Sequence, residues 1–269
     1  MNEQEMWEKA WSERLNRHDF QPTKEYSEAL DCVEEKGHYK IENTHLKDKL
    51  EVVREHTEEL VNSSVAKSLA GHFKMIPDPL VHCPSILDIA TDDMLVDIAG
   101  EFLGCAPAIG TLNLRRSYVT EAPLDATLLF HSDGNSIHFL KFFFYLNDVD
   151  MDGGPFTYVE GSHKDIGTER GRLRGFEDKS KWTYDEVTQK YDESRIKFLT
   201  GNFGDMVIAN TSGMHRGTRV KERERTMLTL NYVIHPEGWD TNQQFKIKQE
   251  DADGVPENKQ FLLDFLIRV

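Results

Sequence analysis

His131 and Asp133 stand one residue apart in the stretch DATLLFHSDGNSIHFLKFFFYLNDVD, whose apolar and aromatic content predicts strands. Residues i and i+2 of a strand project from the same face, so an imidazole nitrogen and a carboxylate oxygen would be presented side by side. These are two members of a facial triad of two histidines and one carboxylate, which leaves open positions on the metal and suits non-haem Fe(II). Alone, an HxD triplet is a common coincidence, and two ligands do not hold a catalytic metal. A third donor must come from elsewhere in the sheet.

Three downstream histidines compete for that place. His163, in VEGSHK, reads by default as a turn or a structural hydrogen bond, and His235, in VIHPEG, as a strand-end residue at the surface. His215 follows GDMVIANTSGMH, a strand and a turn, and ten residues later Arg225 opens the strand RTMLTLNYV. A 2-oxo acid that chelates a metal through its keto oxygen and C1 carboxylate needs a buried counter-charge for its far carboxylate. A guanidinium supplies two parallel hydrogen bonds and stays charged when desolvated. Arg219 and Arg223 compete for that role, but both lie in the polar turn RGTRVKERE, whereas Arg225 leads directly into apolar sequence.

The elements that must position these residues come in two textures. Met6, Trp7, Ala10, Trp11 and Leu15 recur at helical spacing, and HLKDKLEVVREHTEELVNSSVAKSLAGHF and DDMLVDIAGEFLGC continue the helical character. After about residue 108 come short runs rich in Val, Thr, Phe, Tyr and Leu, punctuated by Gly, Pro, Asp and Asn. Helices first and strands second predict an α+β chain, a β-sandwich or barrel with helices on one face. Residues 164–200 interrupt the strand series with a long charged segment, of the kind that serves as a lid or substrate loop. Alternation in the aromatic run Phe142, Phe143, Phe144 and Tyr145 sends successive rings to opposite faces. Lys141 shares a face with Phe139, Phe143 and Tyr145, as a rim charge or a pocket residue.

With 269 residues the chain can bury a large core. Its net charge of −15 argues against binding nucleic acid or an anionic membrane surface. The three cysteines, Cys32, Cys83 and Cys105, form no disulfide framework or CxxC site, which points to a reducing compartment. The charged N-terminus has no apolar h-region, and no run has the length of a membrane span. These features predict a soluble, cytoplasmic protein; they leave its oligomeric state undefined.

The ordered set FHSDGNSIHFLKFFFYLNDVDMDGGPFTYVEGSHK and GDMVIANTSGMHRGTRVKERERTMLTLNYV resembles the phytanoyl-CoA dioxygenase family of Fe(II)/2-oxoglutarate-dependent oxygenases, over roughly residues 105–235. The resemblance implies a double-stranded β-helix (jelly-roll, cupin-like) core with helices, mainly N-terminal, on one face. It implies one dioxygenase domain over 1–269: 1–104 mainly helical, 105–235 the core with 164–200 as a lid, and 236–269 a C-terminal extension. Position by position, it implies that His131, Asp133 and His215 bind iron and that Arg225 holds the C5 carboxylate of 2-oxoglutarate. Asn113 and Ser117, on one face of the preceding strand, would help hold that cosubstrate, and dioxygen would be the oxidant. Two departures stand out: VEGSH replaces the usual PGSH, and the His–Arg spacing is one residue short, which keeps the choice of arginine open.

Halogenating members of the family carry Gly or Ala in place of the carboxylate, so Asp133 favours hydroxylation, with release of succinate and CO₂. Demethylation, desaturation or cyclisation on the same centre, or a non-catalytic jelly-roll binding protein, are the alternatives. A natural product, an amino-acid derivative or a sugar would each serve as substrate. The basic stretch RGRLRGFEDKSK could meet an anionic substrate or be a solvated face.

Overall fold

The computed structural model describes residues 3–16, 20–23, 25–121, 126–134, 138–165, 179–234 and 245–269. Six helices precede residue 104: α1 (Glu3–Leu15), α2 (Ser27–Lys36), α3 (Lys47–Val61), α4 (Pro79–His82), α5 (Ile86–Ala90) and α6 (Asp93–Leu103). Three short strands are threaded among them: β1 (His38–Ile41), β2 (Lys67–Leu69) and β3 (Phe73–Ile76). The remaining strands are β4 (Ala108–Ser117), β5 (Phe139–Tyr145), β6 (Phe156–Val159), β7 (Ile196–Leu199), β8 (Met206–Ala209), β9 (His215–Gly217), β10 (Arg225–Val233), β11 (Lys246–Ile247) and β12 (Ile267–Arg268).

Helix α6 shows how sequence sets these boundaries. Asp92 caps it by accepting from the Met94 amide, Gly104 ends it in the left-handed conformation, and Leu95, Ile98, Ala99 and Leu103 are buried. Strand β5 alternates as its sequence predicts. Leu140, Phe142 and Phe144 join the core beneath the helices, while Phe143 and Tyr145 enter a second apolar cluster on the opposite face.

Seven strands form an antiparallel sheet in the order β1-β8-β5-β10-β4-β3-β2, and β7-β6-β9 form a smaller sheet. The large sheet is therefore covered by helices on one face, with the three-stranded sheet set against the other, the two-layer plan of a jelly roll. The helix-side core draws residues from Ala29 to Leu266, so the C-terminal segment is part of it, through Ile247, Phe261 and Leu262 among others.

The N-terminal hundred residues do more than form helices, since β1 and β2 are the two edges of the large sheet and β3 lies between β2 and β4. A strand this short takes its conformation from the strands it pairs with, which propensity over three or four residues does not reveal. On α1, Arg14 is buried, bonding the carbonyls of Ile234, Ala106 and Pro107, while Leu15 is exposed. The side chains of Met6, Trp7 and Ala10 lie outside the described residues, as do residues 166–178 of the expected lid, with Arg170, Arg172 and Arg174 of its basic stretch. The rest of 164–200 is built into the fold. Trp182, Val187 and Tyr191 pack with Phe130 and Met214, helix α7 (Tyr184–Thr188) carries a Thr183–Glu186 capping box, and β7 edges the small sheet.

Gly37 ends α2 with φ +92 and passes directly over Tyr158 of β6: a Cβ added there would lie 2.3 Å from the phenol oxygen. The same ring crowds Gly213, where an added Cβ would lie 2.0 Å from that oxygen. Gly37→Ala combines left-handed strain with overpacking, so it should cost roughly 2–4 kcal/mol in urea denaturation.

Candidate metal and cosubstrate site

Two reciprocal backbone hydrogen bonds bring the distant site residues together. The His131 amide donates to the His215 carbonyl at 2.9 Å, and the His215 amide returns the bond at 2.9 Å. A further bridge, Phe130 to Trp182, lies just before it, and the Asp133 amide donates to the Thr211 carbonyl at 2.8 Å. HSD is therefore pinned along the segment that carries His215 on β9, and the two imidazoles lie 4.3 Å apart between centroids.

Each imidazole is oriented from behind. Nδ1 of His131 donates to the Leu129 carbonyl and Nδ1 of His215 to the Gly213 carbonyl, both at 2.9 Å. A carbonyl can only accept, so the proton sits on Nδ1 and the neutral ring presents its Nε2 lone pair to the site. The Asp133 carboxylate lies 3.9 Å from Nε2 of His131 and 3.4 Å from Nε2 of His215. One donor atom from each residue fits within 4.8 Å of the others, the only such cluster of metal-binding type among the described residues. Two neutral nitrogens and one carboxylate oxygen converging from one side are the donor set of a facial triad.

The electrostatics match. Burial lowers the basicity of both histidines, His215 to about 3, which keeps the rings neutral and available at physiological pH. Burial would raise the Asp133 carboxyl, but the Lys141 ammonium beside it outweighs that and holds the group well below the usual carboxylate range. Lys141 Nζ stands 2.5 Å from Asp133 Oδ2. The lysine whose alternatives were rim or pocket is therefore in the site, as the counter-ion of the Asp133 carboxylate. Next to it across the ladder is Asn231, buried, with no partner for its Oδ1.

The three candidate arginines separate clearly. Arg225 is 2% exposed; its Nη2 donates to Ser117 Oγ at 3.4 Å, and its Nε and Nη1 have no partner. Arg223 is a surface residue paired with Asp150, and Arg219 bonds the Thr120 carbonyl. Ser117 is the register partner of Arg225, and Asn113 pairs with Thr229 on the same inner face of β4 and β10. Gly217 leaves room for the guanidinium, since a Cβ there would come within 3.1 Å of Nη2. His163 plays the structural part expected of it, with Nε2 donating to the Glu34 carbonyl at 2.9 Å, and His235 lies outside the described residues.

One residue of this face escaped the sequence reading. Arg115 stands between Asn113 and Ser117 in NLRRS and shares their face by the same i, i+2 rule. The rule could have found it, but the adjacent Arg116 made the pair look like an ordinary charged edge.

The model of the phytanoyl-CoA dioxygenase (PhyH) family matches residues 9–225. No curated protein matches the sequence. Among solved structures, the chain is similar to the non-haem alpha-ketoglutarate-dependent epimerase SnoN from nogalamycin biosynthesis, with 15% identity over 77% of this chain and 82% of that one, TM-score 0.60. It is similar to HygX from Streptomyces hygroscopicus with nickel, 2-oxoglutarate and hygromycin B bound, with 20% identity over 82% and 90%, TM-score 0.58. It is also similar to EctD from S. alaskensis with bound Fe, with 15% identity over 86% and 81%, TM-score 0.59. These likenesses establish the fold. No helix among the described residues is long and apolar enough to cross a membrane.

Lys141→Met leaves Asp133 without its counter-ion, so the metal-free protein should lose roughly 3 kcal/mol in a denaturant titration, recovered when a divalent metal is added. Acid should act with a definite sign. The folded-state pKa of His215 lies below its ordinary 6.5, so the unfolded chain takes up protons first. The stability it contributes is present above pH 6.5 and is lost as pH falls from there toward about 3, read as a falling melting temperature of the metal-free protein.

Proposed function

Because the chain belongs to the phytanoyl-CoA dioxygenase family, we propose that it is an Fe(II)- and 2-oxoglutarate-dependent oxygenase acting on a small molecule. The observation that carries this reading is the convergence of His131, Asp133 and His215 within 4.8 Å, with both imidazoles oriented from behind. When bound, Fe(II) and 2-oxoglutarate supply oxidising power, coupling the conversion of 2-oxoglutarate and dioxygen into succinate and CO₂ to oxidation of the substrate.

The chain's own residues supply the rest. His131, Asp133 and His215 would hold Fe(II), a donor set that suits non-haem iron chemistry with a 2-oxo acid and dioxygen. Arg225 offers the unpartnered edge of its guanidinium to the distal carboxylate of 2-oxoglutarate, with Ser117 beside it and Asn113 further along the same strand. Phe143 and Phe156, stacked at 4.4 Å, and the ring of Phe156 against His215 form an apolar wall that excludes water from the metal.

Hydroxylation is the outcome this reading favours, since Asp133 occupies the position that halogenating members of the family leave without a carboxylate. The similar structures include an epimerase and a carbocyclase, so the fold also accommodates other outcomes on an organic substrate. Hygromycin B in HygX and 5-hydroxyectoine in EctD support a polar small molecule as substrate.

The test is anaerobic addition of Fe(II) and 2-oxoglutarate, read as the weak visible charge-transfer band of the chelate. The band should form with the native protein and vanish in His131→Ala and Asp133→Ala. Arg225→Ala should weaken 2-oxoglutarate binding by about 2–4 kcal/mol, the scale for removing one partner of a buried charge pair. Absence of the band, together with absence of succinate formation in air, would overturn the assignment.

A further inference from the structure

Two guanidiniums, not one, face the place where the far end of the cosubstrate would lie. Ser117 pairs with Arg225 in the β4–β10 ladder and Arg115 with Met227, so Arg115 and Arg225 are diagonal neighbours on one face of the sheet. That face is the inner one, because Met227 belongs to the apolar cluster between the sheets while Leu112 and Leu114 point to the helices. The Nε of Arg115 is sealed from solvent without a partner, like Nε and Nη1 of Arg225. The guanidinium of Arg115 lies 5.6 Å from the centre of the Phe73 ring.

No described carboxylate forms an ion pair with either arginine; Asp133, across the site, is held by Lys141. Burial, and then repulsion from Arg225, bring the basicity of Arg115 down to about 10. Two like charges turned inward together, with unfilled donors and no anion, are costly unless an anion covers both. A carboxylate has four acceptor positions and can take hydrogen bonds from two guanidinium edges at once.

We infer that Arg115 is a second binding residue for 2-oxoglutarate, so that its distal carboxylate is gripped by Arg115 and Arg225 together with Ser117. This rests on the iron and 2-oxoglutarate reading above and adds to it the residue that completes the clamp. Arg115 also becomes a specificity determinant, since its contribution depends on the second carboxylate. A 2-oxo acid without that group would gain nothing from it.

The experiment measures binding of 2-oxoglutarate and of 2-oxovalerate, which carries a methyl in place of the distal carboxylate, to the anaerobic Fe(II) protein through the charge-transfer band. Arg115→Gln should weaken 2-oxoglutarate roughly 30-fold and 2-oxovalerate less than about threefold, the first figure corresponding to loss of one partner of a buried charge pair. Arg115→Lys, which keeps the charge but loses the fork, should fall between native and Gln. Without 2-oxoglutarate, Arg115→Gln should melt at or above the native temperature, because a half-buried charge with a sealed, unpartnered Nε has been removed, and it should be stabilised less than the native protein when 2-oxoglutarate is added.

Equal losses for both acids would mark a merely structural role and overturn the inference. So would unchanged 2-oxoglutarate binding in Arg115→Gln alongside weakened binding in Arg225→Gln; the wider reading would survive, and a rise in substrate KM alone would move Arg115 to the substrate. If the native protein formed no complex with Fe(II) and 2-oxoglutarate, the wider reading would fall with it.

Discussion

The reciprocal pair of hydrogen bonds between the backbones of His131 and His215 is the constraint on which the site depends. It is a single isolated bridge, outside any named ladder, yet it joins residues 84 positions apart and fixes their rings 4.3 Å between centroids. Everything else in the site is referred to it. The i, i+2 rule carries Asp133 to the same side as His131, and the carbonyls of Leu129 and Gly213 turn both rings. The small sheet holds β9 in place through Tyr158, whose register partner is His215. A bridge this short has little stability of its own, and it is supported by the Phe130–Trp182 bridge and the apolar cluster behind it.

A second constraint is charge. Asp133, Lys141, Arg115 and Arg225 project into one space between two apolar layers, where an unpaired charge is costly. Asp133 is matched within the chain by Lys141, whereas the arginines are not matched by any described acid. On the proposed function the division has a purpose: the acidic end is neutralised within the chain by Lys141, and the basic end keeps its positive charge for the distal carboxylate of the cosubstrate.

Much of this was legible in the sequence because two periodicities carry it. Alternation placed Phe142 and Phe144 against Phe143 and Tyr145, and it put Asn113 and Ser117 on one face. The polar character of RGTRVKERE separated Arg219 and Arg223 from Arg225. Other features were not legible. Strands β1, β2 and β3 take their conformation from the sheet they join, so their three or four residues carry little signal of their own. The position of Lys141 depends on which neighbour its long, flexible stem reaches, and only the folded sheet brings Asp133 within range. Strand β7, hidden in a charged segment, is a strand because Phe156–Val159 pairs with it.

Tyr158 fills the space that side chains at Gly37 and Gly213 would need, and its hydroxyl donates to the Asn210 carbonyl at 2.7 Å. Gly37 closes a helix near the start of the chain, while Gly213 supplies the carbonyl that orients His215. One ring therefore stands between the N-terminal helices and His215. Over evolutionary time these three positions are not free to drift one at a time. A methyl at 37 or 213 is admissible only after 158 has become smaller, and a smaller residue at 158 opens a void beside the segment that carries His215. Substitution here has an obligatory order, and the history of the trio in any lineage would be written as coupled changes.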